Sequence, residues 1–162
     1  MLERTGVPTK EDLATVSPPP ERLEEGPVSI IECFQKIPCD PCYHSCPRGA
    51  IMPFSDLNDL PKMDFAKCNG CGLCISNCPG LAIFVIEKNY TPGRGLVKMP
   101  YEFLPLPKKG EEVILLDREG QELGTGLVER IQNKEKQDKT SVIWVSMPGE
   151  LIMEARNIRV VE

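Results

Sequence analysis

From Cys68 to Pro79 the chain reads C-x2-C-x2-C-x3-C-P, and nothing else in the sequence restricts the fold so tightly. The pattern is nearly written twice. Residues 39–51, "CDPCYHSCPRGAI", lie in register with residues 71–83, "CGLCISNCPGLAI". Cys39 falls on Cys71, Cys42 on Cys74, Cys46 on Cys78, Pro47 on Pro79, Ala50 on Ala82 and Ile51 on Ile83. A short strand is expected before each unit, in "VSIIE" ahead of Cys33 and "KMDFAK" ahead of Cys68. Each unit then runs into an apolar strand, the second being "LAIFVI". The repeat predicts two strand–loop–helix-turn–strand halves related by pseudo-symmetry. The first half departs at one place: the register puts Lys36 where Cys68 stands, and the nearest cysteine is Cys33, giving C-x5-C-x2-C-x3-C-P.

All eight cysteines lie between residues 33 and 78, which suits one compact cofactor site better than a disulfide scaffold. The N-terminus has no apolar signal region, and the longest apolar run, Leu81–Ile86, is too short for a membrane span. A reducing cytoplasm is therefore expected, where close cysteines bind metal more often than they pair. The net charge of −5 argues against a nucleic-acid or anionic-membrane binder.

The spacing from Cys68 is that of an iron–sulfur loop. A tight backbone curl sets three thiolates two residues apart on three corners of a cubane, and Gly70 and Gly72 permit the curl. Cys78, with Pro79 at a helix start, points to a second cluster. The repeat then gives one cluster to Cys39, Cys42, a further cysteine of that loop and Cys78, and the other to Cys46, Cys68, Cys71 and Cys74. Two readings of Cys33 stay open. Either "FQKIP" is a longer loop that still delivers Cys33 to the first cluster, or Cys33 is a buried free thiol and that cluster has three irons or a non-cysteine ligand. Zinc also takes C-x2-C pairs, but it leaves both Cys-Pro endings unexplained.

On these motifs residues 28–90 resemble the bacterial-type two-cluster ferredoxins. The resemblance covers under half the chain. It implies the ferredoxin fold, one-electron transfer and two [4Fe–4S] clusters, with Cys33, Cys39, Cys42 and Cys78 on the first and Cys46, Cys68, Cys71 and Cys74 on the second.

The remainder divides by composition. Residues 1–27 are an extended Pro- and Glu-rich arm, either floppy or ordered along a partner, with Thr9 and Asp12 set to cap one helical turn. Residues 91–110 are broken by prolines and predict an extended linker. Residues 111–162 read as short strands, weakly similar to SH3-like barrels. The glycines of "TPGRG" and "LGTG" read as turn glycines. The fold class expected is α+β: a pseudo-symmetric ferredoxin fold followed by a small all-β barrel. Trp144 is expected in the core or at a rim, and His44 on a surface loop. Arg48 and Lys67 either offset cluster charge or are solvated. No nucleotide-binding or catalytic constellation is present.

The expected function is an electron-transfer subunit of a larger oxidoreductase, because free ferredoxins lack such an arm and β module. A flavoprotein dehydrogenase is the expected partner in a hetero-oligomer, on analogy with the iron–sulfur subunits of amine, proline or hydroxyproline dehydrogenases. The alternatives are a free carrier, which would run as a monomer, and a metal-stabilised RNA-binding module, against which the acidic balance speaks.

Overall fold

A computed structural model describes residues 2–161. The arm folds into three short helices, α1 (Leu2–Thr5), α2 (Lys10–Val16) and α3 (Pro20–Glu24). Thr9 caps α2: its side chain accepts from the Asp12 N–H while the Asp12 carboxylate accepts from the Thr9 N–H. Val16 and Leu23 pack against the main core, and Glu24 binds Lys88 and Asn89, so the arm is laid down on the protein.

Strand β1 (Val28–Ile31) forms where "VSIIE" predicts it, followed by a short helix α4 (Pro41–Ser45) within the first cysteine unit. "LAIFVI" opens β2 (Ile83–Thr91). "KMDFAK" makes no strand; it contributes a single bridge, Met63 to Ile51. No helix begins at Pro79 either, because the chain turns back there, with the Leu81 N–H donating to the Cys78 carbonyl at 3.2 Å.

The largest correction concerns residues 91–110. Instead of a linker, Arg94–Tyr101 is a strand, β3, buried along nearly its whole length. Pro92 and Gly93 form the tight turn between β2 and β3, with Gly93 at φ 75° and Thr91 paired to Arg94. Pro100 is tolerated because the pairing with β2 ends at Lys98 and β6 is its partner there.

The C-terminal strands are β4 (Glu112–Leu116), β5 (Glu122–Gln132), β6 (Ser141–Pro148) and β7 (Asn157–Val160). Their ladder does not stop at β6. β6 pairs with β3 over its full length, Arg94 opposite Pro148 through Tyr101 opposite Ser141. One antiparallel sheet of seven strands results, in the order β1-β2-β3-β6-β5-β4-β7. The "LGTG" glycines lie inside β5, not in a turn. At Gly126 a Cβ would meet the side chains of Leu115 and Val145 at 2.8 Å, so only glycine fits between the neighbouring strands.

Period-two alternation sorts this sheet onto two cores. Val28, Ile30, Phe84, Ile86, Val97 and Val145 lie in the larger core. Their alternates Ile31, Ile83, Val85 and Val142 join a second apolar cluster that contains Cys42, Cys74, Ile51 and Ile75. Most of the cysteines therefore join the second cluster on one side of the sheet, while Cys68 and Phe65 pack against the main core.

Candidate metal centre

The eight cysteines are free thiols. Cys46, Cys68, Cys71 and Cys74 line one recess, beside Ser29 and Arg48. Cys33, Cys39, Cys42 and Cys78 line another, beside Phe54 and Asp59. Each half of the repeat thus sends its last cysteine to the other half's recess. Among the described residues no three His, Cys, Asp or Glu side chains converge on a single ion point. Each set of four thiols stands around its own recess.

Backbone geometry repeats around the two Cys-Pro corners. The Ala50 N–H donates to Cys46 Sγ at 3.3 Å, and the Ala82 N–H to Cys78 Sγ at 3.4 Å. Gly49 and its register partner Leu81 both adopt positive φ, 62° and 52°. Leu81 holds a conformation that glycine takes more easily, which marks the turn as imposed by its surroundings.

Further donors converge on the second loop. The N–H groups of Ser29 and Gly70 donate to Cys68 Sγ at 3.3 and 3.4 Å, and Ser29 Oγ lies 3.6 Å from Cys74 Sγ. Gly70, at φ 69°, lies against Pro27: a Cβ there would come within 2.5 Å of Pro27 Cβ and 2.8 Å of its carbonyl carbon. Burial pushes the Cys74 thiol up to about 12 and the Cys42 thiol up to about 11. Burial also acts on Cys46, but the amides of Arg48, Ala50, Ile51 and Gly49 outweigh it and draw that thiol below its usual range. Burial, then the neighbouring Cys78 and Cys39, raise Cys33. A buried thiol of this kind becomes a thiolate when a metal takes its proton's place. An apolar shell, four thiols per recess and N–H groups aimed at sulfur fit an iron–sulfur group.

The other residues read from sequence fall as follows. Arg48 lines the second recess and donates from Nε to the Lys67 carbonyl at 2.9 Å, strapping the two cysteine units together. Lys67 itself is exposed and lies 3.6 Å from Asp64. His44 is exposed and bonded to Asp40 at 3.0 Å. Trp144 is half-buried against the cysteine-bearing cluster, with Lys98 Nζ 4.1 Å from its ring centre. The loop from Gln35 to Pro38 stands exposed, and the Cys39 N–H fastens its end to the Leu57 carbonyl at 3.2 Å.

Ser29, Arg22 and Lys98 were not singled out from sequence. Lys98 had a signal: it is the lone charge within "GLVKMPY", visible once that stretch is read as a strand. Arg22 had none, because its partners are carbonyl groups.

Residues 61–84 match the family described as 4Fe-4S binding domain. This region is iron–sulfur-binding and ferredoxin-like. The matched residues include Cys68, Cys71, Cys74 and Cys78, and stop short of the first unit. The chain is also similar to the pyruvate synthase subunit PorD of Methanocaldococcus jannaschii, 43% identical over 59 residues. That alignment covers 36% of this chain and 66% of the relative. It is 38% identical over 52 residues to the ferredoxin-type protein NapF of Haemophilus influenzae, covering 31% of this chain and 30% of that one. The chain thus spans less than two thirds of either relative. No solved structure matches it. Among the described residues no helix is long and apolar enough to cross a membrane.

Proposed function

We propose that the chain is an electron-transfer subunit of a multi-subunit oxidoreductase and carries two [4Fe–4S] clusters. On this reading Cys33, Cys39, Cys42 and Cys78 hold the first, and Cys46, Cys68, Cys71 and Cys74 the second. The observation that carries it is the division of eight thiols into two sets of four, each around its own recess. When bound, such a cluster supplies a centre that takes up and returns one electron. The protein's residues hold the thiolates, keep water away through Ile31, Ile51, Ile75 and Val85, and aim N–H groups at sulfur. The reading places the chain in the cytoplasm, where thiols stay reduced.

The partner on this reading is a flavoprotein dehydrogenase, since flavin chemistry divides a two-electron oxidation into single-electron steps. The amine, proline and hydroxyproline dehydrogenases are the class in view. The similarity to a protein named as a pyruvate synthase subunit favours a second reading, in which the partner acts on a 2-oxo acid. Anaerobic purification from the native cell, with iron, sulfide and flavin analysis and EPR, tests both levels. About eight irons per chain and two interacting reduced signals are expected. About four irons, or zinc in their place, would sink the two-cluster reading. Co-purifying flavin supports the first partner, a thiamine-containing 2-oxo-acid enzyme the second, and a free monomer neither.

A further inference from the structure

Two buried cations grip the same short stretch of backbone. Arg22, 8% exposed, donates from Nη2 to the Cys68 carbonyl at 2.7 Å, and also to the carbonyls of Phe65, Gly26 and Pro27. Lys98, 7% exposed, reaches from β3 and donates from Nζ to the Gly70 carbonyl at 2.8 Å. Both charges therefore sit behind Cys68–Gly70, at the start of the second recess. The carboxylate nearest Arg22 is Glu25, 3.9 Å away and largely in water. Around Lys98 the attraction of Glu87 is opposed by Arg130.

Among the described residues the first recess has no such pair. The buried charged cluster next in sequence to Cys33 is Glu32 with Arg118 and Arg156, joined by Glu154, which sums to zero, and the loop's own cation, Lys36, is exposed. Its guanidinium groups bond to Glu32 and to the carbonyls of Met153, Ile152 and Ala155, and to no carbonyl of a cysteine loop. The acidic side chain of Asp59 lines this recess.

Hydrogen bonds to sulfur lean the same way. The second set receives the Ser29 and Gly70 amides on Cys68, the Ala50 amide on Cys46 and the Ser29 hydroxyl beside Cys74. The first set receives the Ala82 amide on Cys78, with Gln35 and Tyr43 amides acting on Cys33 and Cys42. Cys71, moreover, is the exposed member of the eight, so water also reaches the second recess.

Gaining one electron, with no proton or ligand exchanged, adds a negative charge to either recess. Nearby cations, N–H groups directed at sulfur and water all favour the more negative state. We infer that Arg22 and Lys98 make the recess of Cys46, Cys68, Cys71 and Cys74 the preferred seat of an added electron, an inference that rests on the two-cluster reading. Both are positioning residues that act through the backbone and the field, without touching iron.

The test is a stepwise anaerobic reduction of the loaded full-length chain, followed by EPR at poised potentials. Cys71→Ser marks the signal of the second recess and Cys39→Ser that of the first. The signal altered by Cys71→Ser is expected to appear first. Lys98→Met is expected to lower the reduced-to-oxidised ratio of that signal about tenfold at a given potential, equivalent to ~59 mV for one electron. Lys98→Arg should restore most of it. Earlier appearance of the signal altered by Cys39→Ser overturns the inference, as does a Lys98→Met shift confined to that signal. If Lys98→Met does not fold, the order fixed by the two serine variants decides alone. Iron is counted on the same wild-type sample: about eight per chain with the wrong order refutes this inference only, whereas about four refutes the two-cluster reading beneath it.

Discussion

The Glu32 carboxylate accepts a hydrogen bond from Arg156 Nε at 2.9 Å, across 124 residues of chain. Arg118 completes the site with bonds at 2.6 and 3.0 Å. Burial pushes the Glu32 carboxyl up, but the two guanidinium groups outweigh it and hold it below its usual range. Glu32 directly precedes Cys33, so this contact ties the first cysteine loop to the segment entering β7.

Glu32→Gln leaves Arg156 charged with its side chain only 4% exposed. Stranding a buried charge costs about 3–5 kcal/mol. The variant is expected to show a correspondingly lower denaturant midpoint. An unfolding free energy within about 0.5 kcal/mol of wild type, the range of ordinary surface changes, would mean that water already satisfies the arginines.

Arg22→Met removes the donor shared by four carbonyl groups, in α3's flanking chain and in the 65–68 segment. Charged hydrogen bonds contribute about 1.5–3 kcal/mol each, though water recovers part of that once the arm moves. The arm is expected to loosen before the sheet does. Limited trypsin digestion should cut at Arg4 and Lys10 faster in the variant, while the far-UV spectrum of the sheet is kept. Equal cutting rates would show that Val16, Leu23 and the Glu24 contacts seat the arm without Arg22.

The cysteine pattern made the candidate site legible because ligand spacing is local and strict. It named all eight thiols and anticipated the pairing of Cys46 with the second loop and Cys78 with the first, the sets that line the two recesses. The capping of α2 by Thr9 was equally local. What the sequence hid was long-range. Pro92 and Pro100 read as breakers, although Pro92-Gly93 is a hairpin turn and Pro100 sits beyond the pairing with β2. With β3 unread, the C-terminal strands looked like a separate barrel, since nothing in "SVIWV" says that its second edge belongs to β3. Arg22 and Ser29 gave no signal for a related reason: they act on backbone carbonyls and on sulfur, and a partner of that kind leaves no pattern.

Gly70→Ala and Gly49→Ala separate conformational strain from crowding. Both glycines have positive φ, 69° and 62°. Nothing lies within 4 Å of a Cβ at Gly49, whereas at Gly70 it would strike the Pro27 backbone. Gly49→Ala should cost about 1 kcal/mol and keep its iron. Gly70→Ala adds overpacking of about 1–3 kcal/mol against a backbone that cannot rotate aside. It is expected to lose the metal of the second recess, leaving roughly half the iron, with the reduced signal of the first recess retained. Full iron in Gly70→Ala would show that Pro27 yields.

Cys33→Ala decides the ligand that the repeat left open. Lys36, the register equivalent of Cys68, is exposed, whereas Cys33 lines the recess with Cys39, Cys42 and Cys78. The expanded loop between them is exposed from Gln35 to Pro38, and its Gln35 and Ile37 form part of the recess wall beside Cys33. If Cys33 is the fourth ligand, alanine leaves three thiols there. The oxidised variant is then expected to show a three-iron EPR signal that wild type lacks, with the second signal unchanged. Cys33→Ser, which offers an oxygen at the same place, should restore a four-iron centre in part. If Cys33 is instead a packed free thiol, its removal costs only packing: iron content and both signals stay as in wild type.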